Sequence, residues 1–486
     1  MRTPSLRASR RVLAGSVALL GFAAVLGTSS DASASGYLTA RFGTDHGTPA
    51  MPNAYAIYYN PAALGGTTGT TITGDVSLLL RWAQYRRGTD ALSPSQESYR
   101  NDPTYAGSNT GKGNLLNLLA LPFLGVNTDF GGSKYFRGGY AFYIPFGGLA
   151  TWDRADSPSF GVPGTVDRAQ RWHNISGQIL AIYNTFAFAV KVHPRFTIGM
   201  NVSPIIHTAS TVRARNADGS DDTVVGGSLV EGRSLLEVSG FNVGGALGLY
   251  WEPTDQLRFG LSYTTQPGFG ETKMSGELTT QIAATAPGTS QVDFFQTYPD
   301  IWRFGTAVRM NEKWEFRGDF EFVRWSVFER QCVVAKGATC DVAPDGRDLS
   351  GGKVVLNVPR NWKNAIGIRL GPAYNVNEDL ELFGSLGLTT PAVPKETIDA
   401  STIDSTRLYG TIGAKYAVSK RLALAGSYNH IYFFDVNTDG RSIQNIPDHP
   451  SSQQGGGDYN ASRSPSADGR YRSQIGFVNV NVAYTF

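Results

Sequence analysis

Beyond residue 34 the sequence has no apolar run approaching a membrane-spanning helix. The most apolar window, 115–126, is broken by Asn117 and Pro122, whereas a bilayer needs roughly 20 such residues in a row. Helical membrane architectures are excluded. Charge is scarce too, at 17% against roughly 25% for an average soluble domain. Cysteine is limited to Cys332 and Cys340, which rules out a disulfide-dense scaffold. As an isolated pair they lack the further ligands of a metal site, and in an exported chain they read as a loop disulfide. The histidines, at 46, 173, 193, 207, 430 and 449, form no His-x-x-x-His or His-Glu pattern, so neither metal catalysis nor a cofactor is expected. Asp435 to Gly440 copies the first half of a calcium loop, but Ile446 stands where the bidentate Glu belongs.

What is present points to export and to β structure. Arg2, Arg7, Arg10 and Arg11 precede an apolar stretch at 12–27 and a small-residue site at Ala32-Ser33-Ala34, the pattern of a cleavable secretory signal over 1–34. Apart from those arginines and Asp31, the chain is formally neutral. Its nominal basicity therefore gives no reason to expect a nucleic-acid partner. Glycine is abundant, with 57 residues, and aromatics make up 12%.

Alternation of apolar and polar residues recurs from end to end. Trp314, Phe316, Phe320 and Phe322 oppose Glu315, Arg317, Asp319 and Glu321. Four charges on one strand face do not fit a dry sandwich core but suit a hydrated lumen. Read this way, strands fall near 69–85, 115–130, 135–151, 171–191, 196–212, 236–252, 257–271, 300–310, 313–330, 359–374, 379–390, 405–418, 420–436 and 471–486. Short turns alternate with long loops at 213–235, 272–299, 331–358 and 437–470. The expectation is an all-β, 14-stranded antiparallel transmembrane β-barrel in the outer membrane, because only a closed barrel leaves no unpaired strand edge in lipid. Its last strand, ending in Phe486, is expected to engage the barrel-assembly machinery.

Residues 35–68 have little periodicity and many breakers. They contain Tyr59-Asn60-Pro61-Ala62 in a Gly- and Ala-rich setting. Ile144-Pro145-Phe146-Gly147, Phe241-Asn242-Val243-Gly244, Arg258-Phe259-Gly260-Leu261-Ser262-Tyr263, Asn361-Trp362-Lys363-Asn364 and Thr389-Thr390-Pro391-Ala392 follow in order. In this ordered set the chain resembles the FadL-type family of long-chain fatty acid and hydrocarbon transporters. The resemblance implies three regions: the signal over 1–34, an N-terminal hatch (plug) over 35–68 inside the lumen, and the barrel over 69–486. It also implies passive uptake of a hydrophobic small molecule: extracellular loops capture it, a lumen pocket gated by the hatch receives it, and it exits laterally into outer-membrane lipid at a kinked third strand. One plugged barrel suffices, so a monomer is expected.

Residue chemistry assigns the parts. Asn60 before Pro61 is pushed out of helical geometry and favours a turn, which makes Asn60, Pro61 and Ala62 the hatch or gate residues. Pro145 has no ladder donor, and Gly147 and Gly148 have no side chains to pack, so strand pairing is expected to fail there and leave a lateral opening. The loops 213–235 and 272–299, which collect ligand in the family, are not strongly apolar here. Arg258, Arg317 and Arg369 face the lumen by parity, where acids such as Glu315 and Asp319 are expected to pair with them. Two other functions stay open on sequence alone, a water-filled general porin and an outer-membrane lipid hydrolase.

Overall fold

The computed structural model describes residues 38–39, 41–283, 285–444 and 461–486. The chain separates into two compact units, Met1–Ala32 and Ser33–Phe486. The first, and with it the expected signal, lies outside the described residues.

The second unit is a closed antiparallel barrel of fourteen strands. They are β1 (Thr70–Arg87), β2 (Gly111–Thr128), β3 (Phe136–Thr151), β4 (Ser176–His193), β5 (Phe196–Arg215) and β6 (Gly232–Thr254). Four further strands each come in two pieces. These are β7 (Leu257–Thr264 and Glu271–Gln281), β8 (Gly288–Thr297 and Ile301–Arg309), β9 (Trp314–Val323 and Arg330–Ala335) and β10 (Val354–Pro359 and Ala365–Asn375). The circuit ends with β11 (Leu380–Thr389), β12 (Arg407–Ala417), β13 (Leu422–Asn437) and β14 (Arg470–Thr485). Closure is explicit: β1 pairs with β14 from Thr71↔Thr485 to Arg86↔Arg470.

Side chains alternate as a membrane barrel requires. Along β1, Leu78 and Leu80 are exposed while Ser77, Arg81, Ala83 and Tyr85 are buried. Leu116, Leu118, Phe186, Phe188, Leu247, Leu249, Ile366 and Ile368 continue the apolar outer surface. That surface would be an aggregation hazard in water and is the expected face toward lipid. Among the described residues, no helix is long and apolar enough to cross a membrane.

The structure corrects the loop boundaries. Most of 272–299 is not a loop: the strand broken by Pro267–Phe269 resumes at Glu271–Gln281, pairs with Gly288–Thr297, and extends the wall. The stretch 331–358 likewise begins and ends in strand, as Arg330–Ala335 pairs with Val354–Pro359. Glu271–Gln281 and Gly288–Thr297 are rich in Thr, Ser, Gln and Gly without clean alternation, and Arg330–Ala335 and Val354–Pro359 are only six residues each. Strands rising beyond the apolar band have no lipid face, so they lose the period-two signal by which the others were recognised. Cys332 therefore lies in a strand, and its sulfur is joined to that of Cys340, with Cα atoms 6.2 Å apart.

Candidate functional site

Residues 41–69 fill the barrel interior, and their backbone is tied to the wall from nearly every side. A helical turn, Ala56–Tyr59, leads into Asn60, whose extended backbone (φ −164°, ψ 98°) opens the 3-10 turn Pro61–Gly66. Asn60 Oδ1 accepts from Ala62 N at 3.2 Å, while Nδ2 donates to Pro49 O and to Leu249 O, each at 2.9 Å. Asn60 thus caps its own turn and bonds the hatch to β6. Two glycines make this approach possible. A side chain on Gly199 would collide with the Ala62 backbone, and one on Gly248 with Asn60 Oδ1.

The remaining anchors are polar wall residues. Asp75 on β1 accepts from Gly43 N at 3.0 Å and from Tyr55 Oη at 2.7 Å. Asn201 Nδ2 donates to Ile57 O at 2.7 Å, and Ser262 Oγ donates to Tyr59 O at 2.6 Å. Arg303 donates to Tyr58 Oη at 2.9 Å, lies 4.6 Å from that ring, and is held by Glu321 at 2.7 Å. Asp75, Asn201, Ser262 and Arg303 were not identified from sequence. A lone acid at lumen parity in an otherwise uncharged run was the available signal for Asp75.

The three arginines placed in the lumen by parity are held by carboxylates. Arg258 pairs with Glu315, Arg317 with Glu315 (2.8 Å) and Glu381 (2.9 Å), and Arg369 with Asp319 (2.9 Å) and Asp45 of the hatch (2.9 Å). Arg369 also donates to Thr44 O and Gly47 O. Replacing Arg369 by Met removes the shared cation and leaves Asp45 buried. A loss of about 3 kcal/mol or more is expected, read as an earlier thermal transition in detergent and faster proteolysis within 41–68.

Above the hatch the lumen is aromatic. Phe42 and Tyr58 meet Tyr143 (ring centroids 5.5 and 5.1 Å), Tyr143 stacks on Tyr183 (5.5 Å), and Phe146 meets Tyr298 (5.4 Å) and Trp325 (6.3 Å). Trp325, Phe328 and Trp362 continue the series. A cavity of about 140 Å³ follows, lined by Ile179, Leu236 and Phe294 on its apolar side and by His173, Arg213 and Arg360 on its polar side, and reaching Gly148 on β3.

Tyr143 and Phe146 flank a defect in β3. Pairing of β2 with β3 runs only from Thr128↔Gly138 to Phe123↔Tyr143. It is picked up again at one bridge, Leu115↔Trp152, and by Asn117, whose amide clasps the Thr151 backbone. On the other side, β3 keeps β4 but skips a register between Tyr143 and Phe146. Pro145 lies in that skip, whereas Gly147 and Gly148 still pair with Leu180 and Ile179. The edge of β3 that β2 abandons is partly taken by a short N-terminal strand: Leu38–Thr39 pairs with Gly147 and Phe146.

On the loop side, buried ion pairs bind the connections together, Arg87–Asp221 at 2.7 Å and Arg171–Glu231 at 2.8 Å. His173 lies among them, with Nε2 donating to Ser466 O at 3.3 Å and the ring against Tyr85. Burial, partly opposed by Asp399, lowers its pKa to about 4. Because an unfolded His titrates near 6.5, the neutral ring's contribution is intact above about 6.5 and is lost as pH falls toward 4. The His173 ring resonances are expected to stay neutral to about pH 5, with loop hydrogen exchange accelerating below it. A titration midpoint near 6.5 would contradict this.

A family profile described as "Outer membrane protein transport protein (OMPP1/FadL/TodX)" matches residues 23–464. The chain belongs to this OMPP1/FadL/TodX family. It is therefore an outer-membrane β-barrel in a family of transport channels rather than enzymes. A putative outer membrane protein of Neisseria meningitidis serogroup B is 21% identical over 277 residues, and that match spans 53% of the relative's length. Solved structures agree on the fold. A Pseudomonas aeruginosa FadL homologue aligns with TM-score 0.70 at 16% identity, covering 94% of this chain and 100% of its own. The Ralstonia pickettii toluene transporter TbuX aligns with TM-score 0.59 at 14% identity, over 94% and 99%. The P. putida toluene transporter TodX aligns with TM-score 0.61 at 15% identity, over 93% and 99%.

Proposed function

We propose that this channel passively takes up long-chain fatty acids or similar hydrophobic molecules and releases them sideways at β3. The stretch where β3 leaves β2 carries this reading, because it sits beside the aromatic lumen and is covered only in part, by Leu38–Thr39. A strand edge left partly open toward hydrocarbon is costly, so a barrel that keeps one has a use for it. The hatch supports the same route. Cargo entering from the loop side meets a packed plug held by Asn60, Pro61 and Ala62, whereas Pro145, Gly147 and Gly148 line a short way into lipid.

Capture outside the membrane is assigned differently from the family pattern. The loop around 216–231 is braced by Asp221, Asp222 and Glu231 rather than by an apolar patch. The extended hairpin of β7 and β8, with Leu278, Val292 and Phe294 packed against Leu236 and Val333, offers the apolar entrance. The relatives named as toluene transporters favour a second cargo, a monoaromatic hydrocarbon, and the aromatic lining suits either.

Uptake of labelled oleate and of labelled toluene by a Gram-negative host lacking its own such channel tests the proposal. Expression is expected to raise uptake of at least one of them above the empty-vector level. No increase for either, with the barrel correctly inserted, would overturn it.

A further inference from the structure

Arg81 differs from the other arginines of the wall. It lies on the lumen face of β1 and is only 7% exposed, yet neither Nε nor Nη1 has a hydrogen-bond partner. Arg303, Arg317 and Arg369 each hold a carboxylate, whereas no carboxylate pairs with Arg81 among the described residues. Its setting is apolar. Across the ladder it faces Ile475, which is buried, and its same-face neighbours on β1 are Leu79 and Ala83. On the other side it is in register with Asn117, whose amide is already spent on Thr151.

A buried guanidinium whose Nε and Nη1 have no acceptor is expensive. Such groups are ordinarily paired, so an unpaired one asks what binds it. The position supplies an answer. Arg81, Asn117 and Thr151 lie at one level of β1, β2 and β3, where the clasp between Asn117 and Thr151 closes the loop-side end of the β2–β3 defect. Below that level Leu79, Leu119 and Ile144 pack against the lumen core.

Resting on the transport reading above, we infer that Arg81 binds the anionic head of an amphipathic cargo, a carboxylate, while the cargo's hydrocarbon tail lies along Leu79, Leu119 and Ile144 toward the opening at β3. A planar fork of donors suits a carboxylate in two-point contact. Placing the head at the clasp sends the tail first to the defect and lets the charge follow. Arg81 thereby selects a fatty acid over a neutral hydrocarbon of the same length.

The test compares oleate with oleyl alcohol, which has the same tail and a neutral head, on the purified full barrel in non-ionic detergent. Oleate is expected to bind more tightly than oleyl alcohol. In Arg81→Gln the oleate affinity is expected to fall about tenfold to a hundredfold, with oleyl alcohol unchanged and Arg81→Lys in between. Wild-type thermal stabilisation gives a readout that needs no variant, since oleate should raise the transition more than the alcohol does. Equal binding of the two ligands, or an Arg81→Gln effect on both alike, overturns the role of Arg81 and leaves hydrophobic transport standing. Failure of both ligands to bind the wild-type barrel overturns the transport reading along with it.

Discussion

Deleting residues 35–68 is expected to convert a channel of low conductance into one with large, steady openings in a planar bilayer, an increase of about tenfold or more. The reason is where the lumen gets its contents. Phe42, Tyr55, Ile57, Tyr58 and Leu64 are all buried in the interior, and they belong to the hatch. The wall closes on itself through β1 and β14 without them, so the shell should survive their loss. What remains is a lumen bordered by Asp75, Arg303, Asp319, Arg369 and Glu381, which water and ions will fill. A gentler variant checks that the plug is responsible. Gly248→Val drives a side chain into Asn60, and overpacking of this kind typically costs about 1–3 kcal/mol. Conductance between the two extremes is expected, with frequent transitions as the hatch unseats and reseats. An unchanged, silent bilayer after deletion would mean that the loops, rather than the hatch, seal the barrel.

The wall was readable in the sequence because lipid imposes a rule on every second residue. Where that rule holds, as in Leu257 to Tyr263 or Trp314 to Phe322, strands appear in the order and number observed. Where it lapses, at 271–281 and 288–297, the sequence of a strand looks like that of a loop. The hatch was legible as a region, through Asn60-Pro61 and the lack of period, but its attachments were not. Asn60 reaches Leu249 across 189 residues of sequence and Ser262 reaches Tyr59 across 203, and only the barrel's curvature brings them together. Glycine carried a partial signal. Gly199 and Gly248 look like any strand glycines until the hatch backbone is placed against them. Arg81 was hidden for a different reason. Parity put several arginines in the lumen, and what distinguishes this one is the absence of a partner, which no local pattern records.

Bridging β2 to β3 is expected to stop uptake without disturbing the barrel. A Cβ on Gly147 would lie 3.7 Å from Leu121 Cδ2, so Leu121→Cys with Gly147→Cys places two thiols across the defect within reach of a short bifunctional reagent. The native cysteines are joined to each other and should not compete. Cargo uptake by the cross-linked double variant is expected to fall to the empty-vector level, while each single variant, treated identically, keeps most of its activity. Gly147 lies outside the left-handed region and has only ordinary contacts around its missing Cβ, so the substitution itself carries little strain. Selectivity within the result matters as much as its size. If the tail leaves through the wall, the bridge blocks oleate and toluene alike, because both must cross the same strip of lipid-facing backbone. If it instead leaves past the hatch, uptake persists with the bridge in place, and the abandoned edge of β3, covered in part by Leu38–Thr39, would be a structural seam rather than a door.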